Sequence, residues 1–332
     1  MDFLGEAASP PRQHTSAGDL RRVGVEVEFA TVTAAQGADV VRNLFGGQIR
    51  IEDAHRYHVE GTRFGSFTSE LDSRFAHRPK EAMHLEPAGE SERMEGIRTE
   101  LRRLFGEISS LVMPCEIICP PIPHDGLAQL DALVWALEAA GAEGTRASPF
   151  YAFGTQLNVE IADDDPVWLA AMFKAYLLVS PWLRAVMGID LTRRAVSFAD
   201  PFPEAYVHRV LDPGYRPGIN DLIDDYLAAN PTRNRELDML PLFAWLDEDR
   251  VRTRTDDPRI SARPAFHYRL PDANIGEPGW SLCLEWNRWL VVERLAEDRD
   301  LLDRMARDYL ERAESGQGKV WPMALSQWLI LA

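Results

Sequence analysis

Val23-Gly24-Val25-Glu26-Val27-Glu28-Phe29 alternates without a break: the odd positions are apolar, and two of the even positions are glutamates. Side chains alternate across a strand, so the stretch predicts a β-strand that turns its apolar face to a core. Glu26 and Glu28 then share the other face, their Cα atoms about 6.6 Å apart. Two carboxylates at that spacing can serve one cation or two neighbouring ones. Left bare they repel, and one tends to keep a proton. The same pattern also describes an amphipathic strand whose acidic face lies in water, so the meaning of the pair depends on what else the chain brings beside it.

Three further segments have one apolar and one polar face. Val112 to Pro121 places a single acid, Glu116, in an apolar run that ends at Pro120-Pro121; a buried carboxylate there needs a partner, either an arginine or a metal. Thr155 to Ile161 sets Gln156, Asn158 and Glu160 against Leu157, Val159 and Ile161. Ala265 to Leu270 sets His267 and Arg269 against Phe266, Tyr268 and Leu270. Imidazole binds metals and guanidinium grips phosphate in a bidentate way. If the four strands share a sheet, their polar faces line one surface with three carboxylates, an imidazole and a guanidinium. That set suits Mg²⁺ and a polyphosphate.

The composition narrows the function classes. Of 332 residues, 45% are hydrophobic and 27% charged, which excludes disordered, collagen-like and disulfide-scaffold classes. Thirty-six Lys and Arg stand against 52 Asp and Glu, a formal charge of −16. This argues against a general nucleic-acid binder, which needs a cationic surface. The field also repels anionic substrates unless metal ions or local arginines reverse it. Three cysteines cannot all pair, and the N-terminal stretch lacks a secretory-signal pattern, so a cytoplasmic location is expected. Cys115 and Cys119 read as small buried hydrophobes, not as a zinc pair. The apolar stretch from Trp321 to Ala332 is shorter than a bilayer span and predicts a terminal helix or strand, with no membrane partner.

Along the chain, residues 1–20 read as a flexible leader and 21–332 as a single catalytic domain. The polar interval 74–92 reads as a mobile loop, and 199–263 as an insertion or lid over the mouth of the site. Helical spacing is expected over 92–111 through Ile97, Leu101, Leu104 and Ile108, and over Asp125 to Ala140 with a stop at Gly141. Pro166 to Met187 is apolar nearly all round, with a break expected at Ser180-Pro181. A last long helix is expected from Trp286 to Glu314. Neither a GxSxG elbow nor a GxxxxGK[ST] phosphate loop is present in the sequence.

In order and content these segments resemble the amidoligase branch of the carboxylate–amine ligase superfamily, over about residues 22–295. Its members share the catalytic cradle of glutamine synthetase and glutamate–cysteine ligase. The G-x-E-x-E-F opening stands here as Gly24 to Phe29, and an acidic D-x-S element as Asp72-Ser73, preceded by Glu70. An E-L-V-S-P-like strand stands as Glu116 to Pro120. Where the family reads H-V-H this chain has Gln156-Leu157-Asn158, and where it reads E-F-R it has His267-Tyr268-Arg269.

The resemblance implies an α+β fold: a glutamine synthetase-like cradle made of a curved, mostly antiparallel sheet with helices on its outer face. It implies ATP- and Mg²⁺-dependent (or Mn²⁺-dependent) joining of a carboxylate to an amine through an acyl phosphate. Glu26, Glu28, Glu116 and Arg269 would be catalytic. Glu26, Glu28, Glu116 and His267 would hold metal, while Gln156, Asn158 and Arg269 would lie at the nucleotide. Asp72 and Arg263 would lie at the substrate. Apart from the resemblance, Arg209 and Arg216 fall in loops near the expected cradle and read first as solvated surface arginines, second as groups that recognise a substrate carboxylate. Imidazole is a softer ligand than carboxylate, so His267 alters the metal chemistry. The partners would be a small carboxylate and an amine, or a peptide or protein acceptor. The departures at Gln156, Asn158 and His267 leave a ligand-binding member without ligase activity as an alternative, and a metal-dependent amide hydrolase as another.

Overall fold

All four polar-faced segments enter one sheet, side by side. The computed structural model describes residues 5–72, 114–148, 151–189 and 199–331. Its strands in chain order are β1 (Arg22–Phe29), β2 (Gln48–Asp53), β3 (Arg56–Thr62), β4 (Gly65–Leu71), β5 (Cys115–Ile118), β6 (Ile122–Pro123), β7 (Thr155–Glu160), β8 (Leu237–Asp238) and β9 (Ala265–Tyr268). They run β2-β3-β4-β5-β1-β7-β9-β8, with the short β6 paired to β1. Every strand pair is antiparallel. The expected strands are thus the central run β5-β1-β7-β9.

One face of this run is dry. Val23, Val25, Val27, Leu157, Val159, Phe266 and Tyr268 are at most 1% exposed, as the alternation requires. Helices cover that face. Among the described residues the helices of the chain are α1 (Ala34–Phe45), α2 (Asp131–Ala139), α3 (Pro166–Met187), α4 (Glu204–Leu211), α5 (Ile219–Ala229), α6 (Leu240–Leu246), α7 (Glu248–Arg252), α8 (Leu282–Glu297), α9 (Arg299–Glu314) and α10 (Trp321–Leu331). The α1 helix, started by a Thr33/Gln36 capping box, packs on β2 to β5, while α3 packs on α8 and α10. Trp289 of α8 brings its ring to 5.6 Å from Phe266 and 5.2 Å from Tyr268, and Tyr176 of α3 meets Tyr268 at 5.9 Å. The α3 helix is long and apolar enough to span a bilayer by length and composition, yet it lies in the core, with 72% of its apolar window buried.

Several expectations are revised. The α3 helix runs through Pro181 instead of breaking at Ser180-Pro181. The proline leaves the Leu177 carbonyl without its helical donor, and beside it the Trp321 indole N–H donates to the Leu178 carbonyl at 2.7 Å. The expected helix from Trp286 to Glu314 is two helices. Asp298 separates α8 from α9 and caps α9 by accepting from the Leu301 N–H at 2.9 Å. The Asp125 to Ala140 helix opens with a 3₁₀ segment, His124–Leu130, before α2 begins. The stretch 199–263, expected as an insertion, supplies the edge strand β8 to the sheet as well as α4 to α7. The predicted helix 92–111 and loop 74–92 lie outside the described residues.

Residues 5–20, expected as a flexible leader, follow α8. The Ala8 N–H donates to Asn287 at 2.9 Å, Trp286 donates to the Ala8 carbonyl at 2.8 Å, and Arg12 pairs with Glu297 at 2.8 Å. This segment leads into Arg21, 1% exposed, whose guanidinium grips Glu293 with two bonds of 2.8 and 2.9 Å. It also donates to the Glu160 and Arg12 carbonyls. One buried ion pair therefore ties the start of β1 to α8.

Candidate functional site

Register places the polar side chains in rows across the sheet. In the first row Glu28 of β1 lies directly opposite Glu116 of β5, Glu116 opposite Glu70 of β4, and Glu70 opposite Arg56 of β3. In the second, Gln156 lies opposite Glu26, followed by Ile118, Thr68 and His58. In the third, Gly24, Asn158, His267 and Asp238 are aligned. Glu28, Glu116 and Glu70 are 5%, 7% and 9% exposed. Like charges directly opposite each other destabilise a sheet, so such a row calls for cations. At its outer end Arg56 supplies one by donating to Glu70.

Each glutamate of β1 is held by a carboxamide of β7. The Gln156 Nε2 donates to Glu28 at 3.0 Å, beside the Gly154 N–H at 2.8 Å. The Asn158 Nδ2 donates to Glu26 at 2.8 Å. Each carboxamide oxygen is held in turn. Asn158 accepts from Arg263 at 2.6 and 3.0 Å, and Gln156 Oε1 lies 2.8 Å from His267 Nε2. A carboxylate only accepts, so Gln156 must point its NH₂ at Glu28 and its oxygen at His267, which sets the imidazole proton on Nε2. Gly24 makes room for this, since a Cβ there would already touch Asn158 Cβ at 3.4 Å and a larger side chain would push the carboxamide off Glu26.

The expected metal ligand His267 therefore commits its Nε2 proton to Gln156, while its Nδ1 lies 3.4 Å from Asp238. Burial drives its pKa down to about 4, against the pull of Asp238 and Glu26. Burial pushes Asp238 up, but His267, Arg233 and Arg269 overcome it and hold its carboxyl below the ordinary range. Arg269, 7% exposed, lies just past β9. Its N–H donates to the Glu236 carbonyl at 2.9 Å and its guanidinium to the Arg233 carbonyl. Asp72, 1% exposed, is two residues beyond Glu70 and donates its N–H to the Pro114 carbonyl at 2.9 Å. Arg209 of α4 pairs with Asp225 of α5 at 2.6 Å, and Arg216, in the loop between these two helices, pairs with Asp303 of α9 at 3.5 Å.

Among the described residues, no three His, Cys, Asp or Glu side chains are gathered as a ready coordination shell. Mg²⁺ rarely uses one; it takes one or two carboxylates and completes its octahedron with water and substrate phosphates. The facing pair Glu28 and Glu116 fits that hard-oxygen requirement in kind.

Residues 19–291 match the sequence model of a family described as "Putative amidoligase enzyme". The chain belongs to this amidoligase family. No curated protein and no solved structure shows a significant match. The matched span of the amidoligase runs from the lead-in to β1 into α8, so it includes every polar row described above.

Glu70, Arg56, His58 and Asp238 escaped the sequence reading as site residues. Glu70 carried a signal in the alternation of Phe67-Thr68-Ser69-Glu70, whereas Asp238 sits on a two-residue strand too short to show any period.

The buried His267 gives a pH prediction. Its folded pKa, about 4, is depressed below the ordinary 6.5. The unfolded chain therefore binds more protons between these values, and stability is lost as pH falls through that window, by up to about 3 kcal/mol. Urea unfolding of wild type from pH 7 down to 4 is expected to show this slope, and His267→Gln to flatten it.

Proposed function

We propose that this amidoligase is an ATP- and Mg²⁺-dependent carboxylate–amine ligase that forms an amide through an acyl phosphate. The single observation that carries the reading is the row Glu28–Glu116–Glu70, three carboxylates directly opposite one another on adjacent strands of a protein with charge −16. Glu28 and Glu116 would hold the divalent cation, with Glu26 beside them. When bound, the metal neutralises charge on the transferring phosphoryl group. The chain's own residues do the rest. Gln156 and Asn158 hold the acids in one orientation, and Arg269 offers guanidinium donors to phosphate. Asp72 follows Glu70 at one end of the rows and Arg263 holds Asn158 at the other, and each would contact substrate there. The three cysteines are free and buried, in keeping with a reducing cytoplasm as the place of action.

The test is a panel of carboxylates with amines or acceptor peptides, assayed for ADP, phosphate and amide in equal amounts. Absence of coupled ADP release across a broad panel would overturn the reading. A ligand-binding member without turnover is favoured by one observation, the engagement of His267 Nε2 and of the Gln156 and Asn158 carboxamides by protein partners. Tight Mg·ATP binding by calorimetry without product would select it. Amide cleavage without ATP would instead select a metal-dependent hydrolase.

A further inference from the structure

On the same polar face, two strands out from β5, lies a second constellation. Glu52 Oε2 is 2.7 Å from His58 Nε2, and His58 Nδ1 is 3.2 Å from Thr68 Oγ1. The carboxylate accepts only, so it fixes the proton on Nε2 and leaves the Nδ1 lone pair to receive a hydrogen bond, now from the Thr68 hydroxyl. The His58 side chain is 19% exposed, so a substrate can reach it, unlike the sealed His267. Register places His58 opposite Thr68, and Thr68 opposite Ile118. Its Cα is about 10 Å from β5 at the usual strand spacing. Among the described residues, the charged groups around it are Glu52 and Arg50 on β2, Arg56 and Glu60 on its own strand and Glu70 on β4. Arg50 pairs with Glu60, and Arg56 with Glu70 and Glu52. Its hydrogen bond to His58, and then that to Arg56, holds Glu52 below the ordinary carboxylate range, an anion ready to stabilise an imidazolium.

We propose that His58, oriented by Glu52, is the general base that deprotonates the amine acceptor. This role rests on the ligase reading. An amine reaches the site as an ammonium ion, which has no lone pair to attack with. His58 Nδ1 takes the extra proton in the place now filled by the Thr68 hydroxyl. The freed nitrogen pair forms the C–N bond to the acyl carbon. The C–O bond to phosphorus breaks with its electrons on the departing phosphate, which takes the second nitrogen proton. The imidazolium then returns its proton to water.

Hydroxylamine, already unprotonated at neutral pH, needs no such base and so separates this role from a structural one. With the wild-type protein, ATP, Mg²⁺ and a carboxylate it accepts, the His58→Ala variant is expected to lose amide formation from an ammonium acceptor by about 10²-fold or more at pH 7. Hydroxamate formation should stay within a few-fold of wild type, which also shows that the variant is folded. The Glu52→Gln variant should show the same selective loss to a smaller degree. Equal losses with both nucleophiles, or no loss with either, would overturn the role of His58 while leaving the ligase reading standing. Failure of wild type to make either amide or hydroxamate would overturn both.

Discussion

Arg21→Met is expected to lower the free energy of unfolding by about 3–5 kcal/mol. Arg21 and Glu293 are 1% and 2% exposed and are joined by two bonds, so truncating the arginine leaves a carboxylate buried with the Trp289 indole N–H, at 2.8 Å, as its remaining described side-chain donor. The Arg12 and Glu160 carbonyls lose their donor as well. The change reaches the site because Arg21 precedes β1, the strand that carries Glu26 and Glu28. Urea unfolding reads the effect as a lower midpoint at unchanged slope. The double variant Arg21→Met/Glu293→Met should recover a large part of the loss, because an apolar pair of similar volume carries no desolvation cost. A shift below about 1 kcal/mol in the single variant would mean that the pair is solvated.

The second large effect concerns activity more than folding. Glu28→Gln and Glu116→Gln are each expected to lower the rate of ADP-coupled amide formation by about 10³-fold, while stability falls by no more than about 1–3 kcal/mol, the cost in Glu28→Gln of a new amide nitrogen facing the Gly154 N–H or the Gln156 Nε2. The two acids face each other in register within a row that includes Glu70. A neutral amide at either place removes, on the proposed reading, one of the carboxylates that hold the metal. A loss of stability as large as the loss of activity would point to a structural role for the row. Steady-state kinetics beside thermal melts separates the two outcomes.

Much of the sheet was legible in the chain because alternation is a local signal. Val23 to Phe29, Thr155 to Ile161 and Ala265 to Leu270 each announce a strand and divide its faces, and the structure brings them together with β5. What alternation cannot convey is register, which rests on pairing between residues far apart. The alignment of Glu70 with Glu116 and Glu28 therefore became visible only in the fold, as did the meeting of His58 with Glu52. His267 is the plainest instance. Its residue type proposes a metal ligand, but its surroundings make it a donor to Gln156, because Gln156 must turn its NH₂ to Glu28. Helix breaks at Pro181 and Asp298 were misread for a related reason. The proline at 181 is carried by the packing of α3 against α8 and α10, which local sequence does not show, whereas Asp298 acts through a cap that hydrophobic spacing does not reveal.

The central claim is that an acidic protein accepts a nucleotide on this face by way of a divalent cation held at Glu28 and Glu116. Isothermal titration of ATP into the full-length protein, with Mg²⁺ and again after chelation, tests it most directly. The account predicts saturable binding that is lost on chelation and in Glu28→Gln. ATP binding of equal strength with and without divalent metal, or no binding under either condition, would contradict it.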